Sequence, residues 1–185
     1  MIETSRIKER LALVSGLIKA RIPVFVTIGA AAVATAVVGA ALVTPGSGVV
    51  SAPVVARASF ADSTDLKFKV TTGQGQQVIL APDARETVMQ QIIIAPGGHT
   101  GWHSHPGPVV VLVKSGALTF YAGDDPTCTG RTYAAGQAFV DSGQGHVHIA
   151  RNEGGENLEL WATYFDVPPG GAFRINAASP GYCGF

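Results

Sequence analysis

Charge is scarce in this 185-residue chain, because Asp, Glu, Lys and Arg make up 14% of it where about a quarter is usual. Five of the thirteen basic residues lie within residues 1–21, and no basic stripe follows them. A surface that binds nucleic acid needs such a stripe. We therefore expect no nucleic-acid partner.

Charge is absent altogether from residues 22–56. Residues 22–43, as a helix, would cross a hydrocarbon core of about 30 Å. Because the basic residues 1–21 precede this span, the positive-inside rule places the N-terminus in the cytoplasm and the remaining chain outside. We predict a basic cytoplasmic segment at 1–21 and a single-pass transmembrane signal anchor at 22–43. Removal of the span as a signal peptide, which would give a secreted protein, is the alternative.

Cysteine is nearly absent, with one residue at Cys128 and one at Cys183. Both lie in glycine- and proline-rich surroundings typical of turns, where a buried apolar thiol is not expected. In an oxidising compartment outside the membrane such a pair is expected to form a disulfide. Two free thiols are the alternative that the sequence leaves open.

Helical periodicity is missing after residue 44, while glycine (23) and proline (11) are plentiful. Residues 44–64 combine small residues and prolines and predict a linker. Residues 65–185 contain short apolar or alternating runs separated by turn signals every 8 to 12 residues or so, which is typical of an all-β sandwich or barrel. The run VVVLV at 109–113 predicts a strand that is buried on both faces.

The five histidines fall into two groups, HTGWHSH at 99–105 and GHVH at 145–148. Residues two apart on a strand point to the same side, so His103 projects with His105, and His146 projects with His148. Neutral imidazole is the commonest protein metal ligand, and a stable site takes three or four ligands. The two groups therefore predict one metal site if they meet.

The first group resembles the first motif of the cupin family. That motif runs glycine, five residues, H-x-H, three or four residues, glutamate, six residues and glycine. The matching positions in this chain are Gly97, His103, His105, Val109 and Gly116. The chain departs from the motif at Val109, which stands where the family has its glutamate.

The second group resembles the end of the second cupin motif, which reads G-x2-H-x3-N. Gly145, His148 and Asn152 fill it in register. The earlier part of the motif matches less well, because Gly143 replaces its proline. The resemblance as a whole implies a jelly-roll β-barrel with a pocket at one mouth, and the predicted membrane segment precedes this barrel.

The resemblance also implies metal ligation by His103, His105 and His148. Without the glutamate, three neutral imidazoles leave a divalent ion its full charge, which favours an anionic ligand. His146 and His99 are candidates for an additional ligand or for a group that hydrogen-bonds to a ligand. If the three imidazoles have their ordinary pKa, metal affinity should decrease as the pH drops below about 6.5.

The expected function is therefore binding of a divalent transition metal, iron first, with manganese, nickel, copper and zinc open. If the protein is an enzyme, we expect a dioxygenase-like oxidation of a small organic anion, with catalytic residues unassigned. The alternatives are a relic pocket in which the histidines only hydrogen-bond, and a non-catalytic ligand-binding or sensing module at the membrane surface. A structural role with a homodimer formed at barrel edges is a further alternative.

Overall fold

The computed structural model describes residues 43–73 and 75–185. None of the described segments forms a helix with the length and apolar character needed to span a bilayer. The predicted cytoplasmic segment 1–21 and all but the last residue of the predicted membrane span 22–43 lie outside the described residues.

The described residues form thirteen strands joined by turns and loops. In chain order they are β1 Ser47–Ser51, β2 Val54–Ser59, β3 Leu66–Thr72, β4 Gly75–Ala81, β5 Glu86–His99, β6 His103–Ser104, β7 Val109–Ser115, β8 Ala117–Ala122, β9 Arg131–Ala134, β10 Ala138–Asp141, β11 His148–Arg151, β12 Leu158–Val167 and β13 Ile175–Asn176. The prediction of an all-β domain is confirmed.

One sheet of eleven strands curls into a nearly closed barrel, in the order β10-β7-β12-β5-β11-β6-β13. Strand β8 pairs with both β11 and β9, while β1 and β2 pair with β5. Strands β3 and β4 form a separate hairpin. These pairings are antiparallel. Successive side chains of each strand point alternately to the barrel interior and to its surface.

The barrel core lies between β5, β7 and β12. Strand β12 alternates buried and part-buried side chains along its length, as a strand with one inward face does. Its inward residues Leu158, Leu160, Ala162 and Tyr164 pack in one cluster with residues of β5 and β7. This core fixes the position of β7, which carries Val109, relative to β11, which carries His148.

The run VVVLV on β7 alternates rather than being buried on both faces. Val109, Val111 and Val113 point inwards, while Leu112 is 48% exposed. The expectation of burial on both faces was wrong, because a barrel strand has one face towards solvent. The alternation matters for the site, since it directs Val109 into the barrel.

The segment predicted as a linker, residues 44–64, contains β1 and β2. Both are antiparallel to β5, with Val49 opposite Ile94 and Arg57 opposite Val88. They cover an edge of β5 whose backbone groups would otherwise lack partners. Their side chains are nearly all exposed, so they show no apolar alternation, and for this reason composition alone predicts a linker there.

Candidate metal centre

His103 and His148 face each other across two paired strands. His103 begins β6 and His148 begins β11, and the antiparallel register places them directly opposite. Their ring centroids are 4.4 Å apart, and their backbone positions belong to separate parts of the chain. The sheet register therefore joins the two histidine groups predicted from the sequence.

His105 completes the cluster from the loop after β6. Its ring centroid lies 4.8 Å from that of His103 and 5.1 Å from that of His148. The loop is held by a hydrogen bond of 3.0 Å that the Gly145 N–H donates to the His105 carbonyl. One ring nitrogen from each of the three histidines lies within 4.8 Å of the others, so the three can share a metal ion.

Each of the three rings presents its Nδ1 to a backbone carbonyl. The His103 Nδ1 lies 2.8 Å from the Gly101 oxygen, the His105 Nδ1 lies 2.7 Å from the Phe173 oxygen, and the His148 Nδ1 lies 3.3 Å from the His146 oxygen. A carbonyl can only accept, so Nδ1 carries the proton in each neutral ring. The Nε2 lone pairs are left to bind a metal.

Burial keeps the three histidines neutral. Desolvation lowers the pKa of His105 to about 4, and the imidazole of His148 adds to that effect. Burial likewise lowers the pKa of His103 well below its ordinary value and lowers the pKa of His148. At pH 7 all three rings are therefore in the form that binds metal.

A cavity of about 40 Å³ adjoins the three histidines. Its other walls are mainly apolar and include Val109, Phe120 and Tyr164. The Tyr164 hydroxyl donates to the Gln90 side-chain oxygen at 2.9 Å. Val109 borders the cavity and is 1% exposed, so its isopropyl group occupies the direction from which a family glutamate would approach.

Asp141, at the end of β10, is a site residue that the sequence analysis missed. It borders the same cavity and its side chain is 3% exposed. Neither carboxylate oxygen accepts a hydrogen bond among the described residues. Burial alone would raise the pKa of Asp141, but the imidazoles of His146, His148 and His105 outweigh burial and lower it. No local sequence pattern marks Asp141, because its place opposite Val109 depends on the register between β10 and β7.

His146 lies beside the cluster rather than in it. Its Nδ1 is 3.5 Å from the Asp141 Oδ1 and its Nε2 is 3.2 Å from the Asp124 Oδ1. The contact with Asp141, and secondarily that with Asp124, raises the pKa of His146 against the effect of burial. With Asp141 and His148 it forms a second group close enough to hold an ion.

His99 takes no part in either group among the described residues. Its Nδ1 accepts a hydrogen bond of 3.1 Å from the Gly101 N–H, and burial lowers its pKa. The structure places it at the end of β5 as a residue of the turn that leads to β6.

A cleft of about 1070 Å³ lies beside the cavity. Phe120, Phe139 and Asp141 border both spaces, and His146 borders the cleft. The Tyr133 ring stacks on Phe139 with centroids 4.1 Å apart, and Arg131 lies over the Tyr133 ring at 5.1 Å. The cleft offers an aromatic wall to a ligand that approaches the histidines.

Cys128 and Cys183 form a disulfide with Cα atoms 5.4 Å apart, so that prediction is confirmed. The bond attaches the C-terminal tail to the loop after β8. Cys183 packs with the fully buried Trp102, and the Phe185 ring stacks on Trp102 with centroids 6.5 Å apart. The tail therefore covers the residue that immediately precedes His103.

Residues 90–173 match the family described as the cupin domain. The matched range is less than half of the chain. The resemblance seen in the two histidine motifs is thereby confirmed at the level of the superfamily, and both motif histidine groups lie within the matched range. No curated protein matches the chain.

Several solved structures are similar to parts of this chain. An oxalate oxidase in complex with the substrate analogue glycolate is 25% identical, with a TM-score of 0.38, over 43% of this chain and 41% of that one. A protein with a double-stranded β-helix domain from Klebsiella pneumoniae is 25% identical, with a TM-score of 0.41, over 49% of this chain and 74% of that one.

A third similar structure is the cupin domain of an XRE family transcriptional regulator from Enterobacter cloacae. It is 24% identical, with a TM-score of 0.36, over 44% of this chain and 82% of that one. This chain spans about two fifths of the length of the oxalate oxidase that it matches.

Proposed function

We propose that this cupin-domain protein holds one divalent transition metal ion through His103, His105 and His148. The convergence of three ring nitrogens within 4.8 Å, each on a ring whose other nitrogen faces a carbonyl, carries the proposal. The donor set fits such an ion because imidazole suits iron, nickel, copper and zinc. Iron is the ion we propose.

The reaction we propose is a dioxygenase-like oxidation of a small organic anion. Both atoms of O2 enter the product, so the ligand supplies the electrons and no outside reductant is needed. When bound, the metal supplies a Lewis-acidic redox centre. The three neutral imidazoles carry no negative charge to balance that of the ion, which favours an anionic ligand. The apolar cavity wall, with Val109 in place of a carboxylate, would exclude water from a bound ion and would offer it no ligand from position 109.

Metal content tests the proposed site. The full chain, purified without chelator, should contain about one equivalent of a transition metal, and His148→Ala should lose most of it. His99→Ala is the matched control, since His99 belongs to neither of the two groups that could hold an ion, and it should retain the metal. A wild-type content below about 0.1 equivalent, unchanged in His148→Ala, would contradict the proposal.

A second candidate is a non-catalytic module that binds or senses a small ligand. The observation that favours it is the size of the cavity at the histidines, about 40 Å³, which leaves little room for an organic substrate beside an ion. Oxygen uptake by the iron-loaded protein with small carboxylates supports the oxygenase. Thermal stabilisation by the same compounds without oxygen uptake supports the binding module.

We propose that the cupin domain lies outside the cytoplasmic membrane, anchored by residues 22–43. The uncharged run behind a basic segment supports this location, and so does the Cys128–Cys183 disulfide, because such bonds persist in oxidising compartments. Alkaline carbonate extraction should leave the protein in the membrane fraction. Release into the supernatant, with a new N-terminus near residue 58, would instead show that the leader is cleaved.

A further inference from the structure

We propose that Asp141 supplies the carboxylate of this metal centre from the strand next to the family's glutamate position, and that it acts by orienting His148. The inference rests on the proposed metal site. Asp141 is a positioning residue in this view, since it acts on the ion through the His148 ring.

The strand register places Asp141 directly opposite the position where the family glutamate is missing. Strand β10 pairs antiparallel with β7, and Asp141 is the cross-strand partner of Val109. Side chains of directly opposite residues lie on the same face of a sheet. Both side chains border the cavity at the histidines. A carboxylate is therefore present at this wall of the barrel, carried by the adjacent strand.

The Asp141 carboxylate is buried without the hydrogen bonds that such a group needs. Its side chain is 3% exposed, and neither oxygen accepts a hydrogen bond from the described residues. A buried carboxylate is strongly destabilising unless a cation or a donor compensates it. The nearest candidates are two ring nitrogens, the His146 Nδ1 at 3.5 Å and the His148 Nδ1 at 3.7 Å from its Oδ1.

His148 is the ligand that needs this carboxylate. The rings of His103 and His105 are held by Nδ1 contacts of 2.8 and 2.7 Å to carbonyls. The corresponding contact of His148 is longer, 3.3 Å to the His146 oxygen. Its Nδ1–H thus faces both that oxygen and Asp141, and a small rotation of the ring would bring it to the carboxylate.

A carboxylate behind a ligating histidine has two effects on the metal. It accepts the Nδ1–H, which fixes the tautomer and ring orientation and makes Nε2 a stronger donor. It also places one negative charge close to the ion. The net charge of the centre is then lower than that of a divalent ion held by three neutral imidazoles alone. Both effects replace part of what a glutamate ligand at Val109 would provide.

His146 connects Asp141 to the protein surface and provides a matched control. Its other ring nitrogen lies 3.2 Å from the carboxylate of Asp124, whose side chain is 77% exposed. Asp124 and Asp141 thus flank the same imidazole, one outside and one inside. Substituting Asp124 removes a carboxylate of the same kind without touching His148.

The test compares Zn²⁺ and Co²⁺ affinities of the full chain by chelator competition. Asp141→Asn should weaken binding about 10- to 100-fold, the usual effect of losing such a partner, and should alter the visible spectrum of bound Co²⁺. Asp124→Asn should stay within about twofold of wild type. The inference would be overturned if Asp141→Asn bound both ions with the affinity of wild type and gave the same Co²⁺ spectrum.

A second measurement needs no metal. Nitrogen-15 NMR of the histidine rings in the metal-free chain reports which nitrogen carries the proton. Wild-type His148 should be the Nδ1–H tautomer, and Asp141→Leu should shift it towards a mixture of tautomers, while His103 and His105 stay unchanged. An unchanged His148 tautomer in Asp141→Leu would overturn the inference.

The two failures are distinguishable. If wild type binds no metal, the proposed function fails while the tautomer measurement still tests the role of Asp141. If wild type binds metal and His148→Ala does not, but Asp141→Asn matches wild type, the metal site stands and the role of Asp141 is wrong.

Discussion

At the scale of single residues, burial rather than hydrogen bonding sets the charge of the three histidines. Each ring has a carbonyl at its Nδ1, which favours the charged form, yet desolvation outweighs it and lowers the pKa of His103, His105 and His148. The pH dependence expected from ordinary imidazoles, a fall below about pH 6.5, therefore needs revision.

We expect Zn²⁺ affinity to fall at lower pH than the value of about 6.5 set by ordinary imidazoles, because burial lowers the pKa of all three rings, that of His105 to about 4. A proton and the metal compete for the same ring nitrogen. A lower pKa of the ring means that the proton competes only at lower pH. Competition titrations at several pH values measure this. His99→Ala should show the same profile, and a fall centred near pH 6.5 would contradict the expectation.

Val109 marks where this centre departs from the first cupin motif. We expect Val109→Glu to lower the free energy of unfolding of the metal-free protein by about 3 kcal/mol, because the new carboxylate is buried opposite Asp141. Added Zn²⁺ should recover part of that loss. Thermal unfolding with and without Zn²⁺ measures both effects.

The matched control for that substitution is Val109→Gln, which has the same size without the charge. It should be less destabilising in the metal-free protein and gain no more from Zn²⁺ than wild type does. Equal responses of the Glu and Gln variants to Zn²⁺ would show that the side chain at 109 does not face the ion.

At the scale of elements, the turn between β10 and β11 holds His105 and His148 together. Gly143 and Gly145 both have positive φ angles, 59° and 85°. A Cβ at Gly143 would overlap the Gly107 carbonyl, whereas one at Gly145 would meet open space. Proline, which the family motif has at Gly143, is fixed near φ −65°, so this turn could not accommodate it.

These two glycines give a paired prediction. Both alanine variants incur left-handed backbone strain of about 1–2 kcal/mol. Gly143→Ala should lose about 1–3 kcal/mol more than Gly145→Ala, because it also forces Gly107 to move. Chemical denaturation of the two variants measures the difference. Equal losses would mean that this turn is not in close contact with Gly107, in the loop before β7.

At the scale of the whole molecule, the disulfide joins residues 55 apart in the sequence. Closing a loop of that length in the unfolded chain is expected to contribute about 2–4 kcal/mol to the free energy of unfolding. Cys128→Ser with Cys183→Ser should lower the melting temperature accordingly, and reductant should lower it in wild type only. A double variant as stable as wild type would contradict this.

The strands of the barrel could mostly be predicted from sequence, whereas β1 and β2 could not. Apolar or alternating runs and turn residues are properties of neighbouring residues, and they locate strands such as β7 without reference to the rest of the chain. Strands β1 and β2 have exposed side chains on both faces. They are strands because β5 offers them a partner, which no local pattern shows.

The sequence by itself determined the two histidine groups, their cupin spacing and the presence of two cysteines suited to pairing, since each is a matter of residue type and separation along the chain. Only the tertiary structure decided that His103 and His148 lie opposite each other and that burial keeps the rings neutral. It alone placed the Asp141 carboxylate opposite Val109. Register between distant strands and exclusion of water both arise from packing, and packing has no signature in a short stretch of sequence.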